Sequence, residues 1–221
     1  MAEFAAELNI RNATGTNALL EFWFEFASTY SYPVAMSIGK RAAAAGVEVS
    51  WKPFLLGPIF ANQGWTDSPF NLYPAKGAYM WKDLERICRD ANLGWSRPSQ
   101  FPRNGLLAAR VAYANENESW IGSFVTSVYA ANFSCDEDIA DPSVIEECLQ
   151  PLVSEPKAVL AAAERPEIKS GLRERTEAAA TLQIFGSPSF LVAGELFWGG
   201  DRLEQAIQLA LRRSTTLQET L

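Results

Sequence analysis

The sequence predicts an α/β fold in which a β-α-β unit and a β-β-α unit are separated by a long block of helices. Two observations predict it. Near the start, an apolar strand, an alanine-rich helix and an alternating strand follow one another. Near the end, two short apolar strands precede a last helix, and the segment between the two units carries only helical patterns. The sheet is therefore expected to come from the two ends of the chain.

The first unit is predicted over residues 19–54. Residues 19–26 are apolar and aromatic, which is typical of a buried strand. Residues 32–45 carry an early proline and many alanines, and Gly46 follows them, which indicates a helix. Residues 47–54 alternate between polar and apolar side chains and predict a second strand, joined to the first by a right-handed crossover.

The middle of the chain is predicted to begin with a long irregular loop over residues 55–73, which is rich in Gly, Pro and Asn. Helical patterns follow at residues 75–92, 106–115, 120–132, 142–152, 156–163 and 168–182.

The closing unit contains predicted strands over residues 189–193 and 195–199, with Gly194 in the tight turn between them. A helix over residues 201–213 follows, and Asp201 is a natural N-cap for it. The full order is that of a thioredoxin-like core interrupted by an all-helical insertion domain. We expect a tail at residues 1–17, a thioredoxin-like domain at 18–74 and 184–221, and the insertion domain at 75–183.

Composition limits the chemistry of this chain of 221 residues. Its net charge of −7 argues against a nucleic-acid partner, because phosphate binding needs a basic surface. The absence of histidine excludes a Ser-His-Asp triad, and the three cysteines form no CxxC pair, so neither a metal site nor a dithiol centre is predicted. No signal-like start or membrane-spanning apolar run occurs, so we expect a cytoplasmic protein without a membrane partner.

Two serines lie where the first strand gives way to the first helix. Ser28 and Ser31 have the spacing that redox proteins give to two cysteines. A serine hydroxyl without a histidine is a poor nucleophile, but it donates a hydrogen bond to an external thiolate. On this stretch alone, helix capping is the stronger interpretation of both serines.

The segment IFGSPSF, residues 184–190, favours the functional interpretation. A Ser-Pro step that enters a strand after the helical block matches the cis-proline loop of thioredoxin-like proteins, so Pro188 is predicted to be cis. The backbone of Ser187 would then pair with an extended peptide ligand. The alternative is an ordinary trans proline that opens a strand.

Six segments in order carry a family resemblance: FWFEFASTYSY, WKPFLLGPIF, NLYPAKGAYMWKD, FPRNGLLAAR, FGSPSF and ELFWGGDRLE. Together they resemble the 2-hydroxychromene-2-carboxylate isomerase family, which belongs with the DsbA-like proteins and is similar to kappa-class glutathione transferases. The likeness covers residues 19–213. It implies a glutathione site and a homodimer.

The resemblance also implies roles for particular residues. The active-site serine of the family falls on Ser28, which would stabilise the glutathione sulfur as a thiolate. Ser187, before Pro188, would hold the cysteinyl part through its backbone. Asp201 would meet the ammonium of the γ-glutamyl group, with the helix start receiving its carboxylate. Gly200 stands where the family often has Asn or Ser, so one side-chain contact is in doubt.

Lys76 matches the kappa-class lysine that meets the glycine carboxylate of glutathione. Its placement at a helix start opposes the helix dipole, which favours a functional role over that of a solvated lysine. The kappa-class loop also carries an asparagine, and the corresponding position here is Asp67, with Asn71 nearby. A carboxylate would repel glutathione, so no role is assigned to Asp67.

The substrate side is less specific in the sequence. Arg103 and Asn104 are predicted to line it, where Arg103 would pair with a substrate carboxylate or would simply be a surface arginine. Five aromatic residues would wall an aromatic-binding cavity or, for most of them, pack in the core; they are Trp51, Phe54, Trp65, Phe70 and Trp81.

The leading hypothesis is a glutathione-dependent isomerase that acts on a small aromatic carboxylate. The alternatives are a kappa-like glutathione transferase or peroxidase, and a glutathione-binding protein without catalysis. A disulfide oxidoreductase is the least favoured, because it would require a cysteine at Ser28.

Overall fold

The computed structural model describes residues 18–218, so the predicted tail at residues 1–17 lies outside the described part. The strands are β1 (Ala18–Phe24), β2 (Val47–Pro53), β3 (Ser189–Val192) and β4 (Glu195–Trp198). The helices are α1 (Ser31–Ala44), α2 (Leu56–Asn62), α3 (Pro69–Leu72), α4 (Pro74–Asp90), α5 (Leu106–Ala114), α6 (Ile121–Phe133), α7 (Pro142–Leu149), α8 (Pro156–Ala163), α9 (Pro166–Thr181) and α10 (Leu203–Gln218).

The four strands form one sheet in the order β2-β1-β3-β4. β1 runs parallel to β2 and antiparallel to β3, and β3 runs antiparallel to β4. The tight turn between β3 and β4 has positive φ at Ala193 and Gly194, as a short hairpin requires. The predicted thioredoxin-like core with interposed helices is therefore confirmed as the fold.

Successive side chains of β1 pack on opposite faces of the sheet. Phe22 and Phe24 are fully buried in the larger core, where they pack with Trp51 of β2 and Tyr129 of α6. Trp23, between them, joins a smaller cluster on the other face. Since burial of such a ring contributes about 2 kcal/mol, the larger core ties the sheet firmly to the helices of the middle segment.

The predicted loop over residues 55–73 is wrong in part, because α2 and α3 lie within it. Pro58 falls in the first turn of α2, where its missing N–H is tolerated. Pro69 opens α3, and the Ser68 hydroxyl accepts a hydrogen bond from the amide of Phe70 at 3.3 Å. The same prolines that indicated a loop therefore lie in the first turns of helices.

The predicted N-cap at Asp201 is also wrong. Residues Gly200–Arg202 form a single 3-10 turn, and α10 begins after it at Leu203. The remaining predicted helices exist, with ends shifted by a few residues. Within residues 18–218, no helix is long and apolar enough to cross a membrane.

Candidate active site

A large open cleft lies beside the carboxyl end of β1, with a volume of about 1940 Å³. Small-molecule sites commonly measure roughly 300–1000 Å³, so this cleft has room for two ligands. Its lining has two contrasting parts. We call one the serine side, formed by Glu25, Ser28, Ser187, Pro188, Gly200 and Asp201. We call the other the aromatic side, formed by Leu55, Phe60, Trp65, Phe70 and Phe101.

Ser28 lies in the turn between β1 and α1. Its amide donates to the carbonyl of Glu25 at 2.9 Å, which fixes the turn. The N-cap residue of α1 is Tyr30, and it makes no side-chain capping bond. The hydroxyl of Ser28 instead donates to the carbonyl of Ser187 at 2.8 Å. Capping is therefore not what the Ser28 hydroxyl does in this structure.

The hydroxyls of three serines form a directed hydrogen-bond chain. The amide of Glu25 donates to Ser187 Oγ at 3.1 Å. Ser187 Oγ and Ser31 Oγ are 2.6 Å apart, and Ser31 Oγ donates to Ser28 Oγ at 3.1 Å. Because each hydroxyl has one proton, Ser187 must be the donor to Ser31. The chain therefore ends with the Ser28 proton, and each bond strengthens the next.

Pro188 follows a cis peptide bond, as the sequence predicted. The loop around it is held by the Ser189 hydroxyl, which donates to the carbonyl of Gly186 at 2.8 Å. It is held on its other side by the amide of Gly199, which donates to the carbonyl of Pro188 at 2.9 Å. This loop brings Ser187 to Ser28, although 159 positions separate them in the chain.

Gly200 packs closely against α1. A Cβ atom at this position would lie 2.9 Å from Cγ2 of Val34, so a larger residue would not fit without a shift. Asp201 follows it with a side chain that is 73% exposed and lies 3.5 Å from Arg202. Val34 thus fills the space that a family Asn or Ser at position 200 would need.

Lys76 lies in the first turn of α4, is exposed and lines the cleft. Its Nζ is 4.8 Å from the centre of the Tyr73 ring, a cation–π contact. Asp67 also lines the cleft and accepts a hydrogen bond from the side-chain amide of Asn71 at 3.0 Å. The same amide donates to the carbonyl of Phe101 at 3.2 Å, which ties α3 to the aromatic side.

Arg103 borders the cleft, but its charge is paired inside the protein. Its side chain is 3% exposed and forms an ion pair with Asp136. Its guanidinium also donates to Asn132 Oδ1 at 3.1 Å and to Ser99 Oγ at 3.1 Å. The predicted pairing with a substrate carboxylate is therefore not supported, because both terminal nitrogens already donate inside the protein. Nε is buried and has no partner within the described residues. Neighbouring Asn104 is exposed, lines the cleft and accepts from the amide of Leu106 at 3.0 Å, which fixes the start of α5.

The aromatic residues divide between core and cleft. Trp51 and Phe54 are buried in the core, whereas Trp65 and Phe70 line the cleft. Trp81 packs edge-on against Phe101 with ring centres 4.9 Å apart. Phe60 and Phe70, in the apolar lining of the cleft, thus come from the two short helices that sequence patterns did not reveal.

Glu25 is a residue of the cleft that sequence patterns missed. Its carboxylate accepts a hydrogen bond from the amide of Ala27 at 3.1 Å. Burial raises the pKa of this carboxyl to about 7, and the Ala27 bond offsets only part of that rise. The one signal in the sequence was a charged residue inside an otherwise aromatic strand end.

Comparison with known proteins identifies the family of this chain. The family model for DSBA-like thioredoxin domains matches residues 19–210. The 2-hydroxychromene-2-carboxylate isomerase of Sphingobium xenophagum is 23% identical over 186 residues, covering 84% of this chain and 94% of that protein. Glutathione S-transferase kappa 1 of Homo sapiens is 24% identical over 199 residues, covering 84% and 87%.

A solved structure shows the same fold. A selenomethionine form of a 2-hydroxychromene-2-carboxylate isomerase superposes with a TM-score of 0.77 at 21% sequence identity, covering 90% of this chain and 98% of that one. The family resemblance predicted from the sequence is thereby confirmed.

Proposed function

This chain belongs to the family of DSBA-like thioredoxin domains, and from that premise we propose that it is a glutathione-dependent isomerase of the 2-hydroxychromene-2-carboxylate type. The observation that carries the proposal is the position of the Ser28 proton. It stands at the end of the serine hydrogen-bond chain, beside the cis Pro188 loop. A serine there does not undergo thiol–disulfide exchange, but it stabilises a sulfur anion supplied by a ligand.

The residues of the serine side, together with Lys76 in the same cleft, fit glutathione, which has one thiol, one ammonium and two carboxylates. Lys76 is exposed in the cleft to meet the glycine carboxylate, and Asp201 is exposed to meet the ammonium. The backbone of Ser187 would hold the cysteinyl part. Gly200 keeps only its backbone for the γ-glutamyl carboxylate, because Val34 occupies the side-chain space.

When bound, glutathione supplies a thiolate that is nucleophilic and later leaves. The chain itself contributes donors and orientation. The Ser28 hydroxyl would exchange its bond to the Ser187 carbonyl for one to the sulfur, and Ser31 would keep the Ser28 proton pointed there. Fixed donors aimed at a developing charge are the largest common source of catalytic stabilisation. The aromatic side would hold the ring of the substrate, and the enzyme would act as a homodimer in the cytoplasm.

A second candidate is a kappa-like transferase that acts on neutral electrophiles. The basic residues that line the cleft within residues 18–218 have other partners: Arg41 pairs with Glu204, Arg202 lies beside Asp201, and Arg103 is buried against Asp136. Lys76 is assigned to glutathione. A substrate carboxylate thus has no dedicated cation, which favours an apolar and uncharged aromatic substrate.

Glutathione binding tests the proposal most directly. Calorimetry on the wild type should show binding, and the ultraviolet absorbance of the thiolate should reveal a thiol pKa below that of free glutathione. Ser28→Ala should raise that pKa again. Ser37→Ala removes a hydroxyl that also lines the cleft but bonds within α1, and it should change neither quantity.

The outcomes separate the candidates. Turnover of a chromene carboxylate supports the isomerase, whereas turnover of only neutral conjugated electrophiles supports the transferase. Binding without turnover of either would leave a glutathione-binding protein. No binding at millimolar glutathione would contradict the proposal as a whole.

A further inference from the structure

Glu25 occupies a position that the proposed function leaves without a role. Its backbone is part of the serine hydrogen-bond chain, because its amide donates to Ser187 Oγ. Its carbonyl accepts from the amide of Ser28 at 2.9 Å and from the Tyr129 hydroxyl at 2.8 Å. Three hydrogen bonds thus fix the backbone of Glu25 within the site. Its carboxyl reaches the amide of Ala27, the residue immediately before Ser28, at 3.1 Å.

Few groups near this carboxyl would stabilise its negative charge. Phe26 and Gly105 lie beside it, and a Cβ atom at Gly105 would be 3.6 Å from Glu25 Oε1 and 2.8 Å from Phe26 Cβ. Tyr129, from α6, is the titratable group that faces it, and Ser187, from the cis-proline loop, is uncharged. Among the described residues, no basic side chain contributes to the titration of Glu25.

The Glu25 carboxyl is consequently expected to be partly protonated near neutral pH. Burial opposes ionisation, and without a cation nearby the pKa rises to about 7. Side chains that titrate near neutral pH are the efficient proton donors and acceptors, and histidine usually provides this property. The chain has no histidine, and the carboxyl of Glu25 titrates in the same range.

We propose that Glu25 is the proton acceptor and donor of this site. The inference rests on the proposed function and deepens it. When the glutathione thiol ionises, the S–H bond breaks, its electron pair stays on sulfur, and the proton moves to a carboxylate oxygen of Glu25. When the thiol re-forms, the proton returns to sulfur, so no proton is gained or lost over the cycle. The Ser28 hydroxyl stabilises the sulfur anion, while Glu25 stores the proton beside it.

The step has a favourable energetic balance. An ordinary thiol has a pKa of about 8.5, and a carboxyl at its usual value near 4.5 would return the proton at once. A carboxyl whose pKa lies close to that of a stabilised thiol exchanges a proton with little free-energy change in either direction. The neutral acid form also removes a negative charge that would otherwise repel the thiolate.

Proton counting during glutathione binding tests this without measuring activity. Calorimetry at pH 8 in buffers of different ionisation enthalpy gives the number of protons released, and ultraviolet absorbance in the same samples gives the fraction of thiolate. The wild type should release close to zero protons for each thiolate formed, because Glu25 keeps the proton. Glu25→Gln, which has the same shape but no acceptor, should release close to one.

A matched control is available in β1, just before Glu25. Glu21→Gln removes the same charge four positions earlier, and the new amide oxygen is still able to accept from Trp23 Nε1. This variant should release as few protons as the wild type. Turnover should fall at least about 100-fold in Glu25→Gln, with loss of the pH-rate limb near 7, and stay unchanged in Glu21→Gln.

The results separate this inference from the proposed function. Glutathione that binds as a thiolate and releases one proton from the wild type overturns the role of Glu25 but leaves the glutathione site in place. A wild type that does not bind glutathione overturns both.

A measurement on the wild type covers the possibility that Glu25→Gln does not fold. Carbon-13 NMR of labelled glutamate side chains should show one carboxyl that titrates near pH 7 in the free protein and shifts to higher pH with glutathione bound. A Glu25 signal that stays ionised at pH 6 with glutathione bound would overturn the proposal.

Discussion

The serine side and the aromatic side of the cleft are built in opposite ways. On the serine side, Ser28 and Ser187 are linked through buried Ser31 at fixed distances, 2.6 Å between Ser31 and Ser187 and 3.1 Å between Ser28 and Ser31. On the aromatic side, rings such as Phe70 and Phe101 supply apolar surface with few directional bonds. Hydrogen bonds fix the position of a reacting atom, whereas apolar surface selects a shape and tolerates variation. The serine side is therefore suited to the chemistry, and the aromatic side to the choice of substrate.

The largest expected effect is on stability and comes from Arg103, which lies two residues after Phe101 of the aromatic side. Arg103→Met should lower the free energy of unfolding by about 4 kcal/mol, because it removes a buried guanidinium that donates four hydrogen bonds to the protein besides its ion pair with the partly exposed Asp136. Urea unfolding measures it, and exposed Arg97, whose guanidinium lies over Trp81, provides the control Arg97→Met. Unchanged stability with a raised KM for a carboxylate substrate would instead assign Arg103 to substrate binding.

The next effect comes from the pH dependence of stability. The pKa of Glu25 is raised from 4.5 to about 7 in the folded protein, so between these values the folded state holds a proton that the unfolded state has lost. This contribution is fully present below pH 4.5 and is lost as the pH rises through 7, a fall of up to about 3 kcal/mol. Glu25→Gln should remove the fall and be the more stable protein above pH 7. Parallel stability curves for this variant and the wild type from pH 4.5 to 8 would contradict the raised pKa of the Glu25 carboxyl.

Ser28 and buried Ser31 should contribute unequally to kcat. Ser28→Ala removes the donor that would meet the sulfur and should lower kcat about 100-fold. Ser31→Ala removes only the group that orients the Ser28 proton and should lower kcat roughly tenfold. Measured kcat and the thiol pKa of bound glutathione should rank the variants in this order. Equal losses would mean that the hydrogen-bond chain acts as one unit.

A smaller effect should come from the contact between Gly200 and Val34. Gly200→Ser places a side chain 2.9 Å from Val34 Cγ2 and should weaken glutathione binding about tenfold, which is 1.4 kcal/mol. Val34→Ala in the same molecule should restore the affinity by making room. Calorimetry on the single and double variants gives the coupling, and purely additive effects would show that the contact does not matter.

The smallest effect is expected from a substitution on the aromatic side. Phe70→Ala should raise the KM for an aromatic substrate roughly fivefold through lost apolar contact, while the Kd for glutathione stays the same. A change of similar size in the Kd for glutathione would remove the distinction between the two sides of the cleft.

The sequence by itself determined the order of most elements and the position of Ser28 at the end of the first strand, because these depend on local periodicity and on turn residues. The cis Pro188 loop was predicted from the position of its Ser-Pro step after the helical block, which matches thioredoxin-like proteins. Sequence patterns failed for α2 and α3, since prolines indicate a loop or a helix start equally well until packing decides.

Only the tertiary structure decided which residues meet. Asp136, which is 33 positions from Arg103 in the chain, forms an ion pair with it. Tyr129, which is 104 positions from Glu25, donates a hydrogen bond to its carbonyl. Val34 fills the space beside Gly200 from a different part of the chain. Burial raises the pKa of Glu25, and burial is a property of neighbours brought together by folding. Local patterns predicted where donors and acceptors stand along the chain, whereas contacts between distant segments decided which of them remain free to act on a ligand.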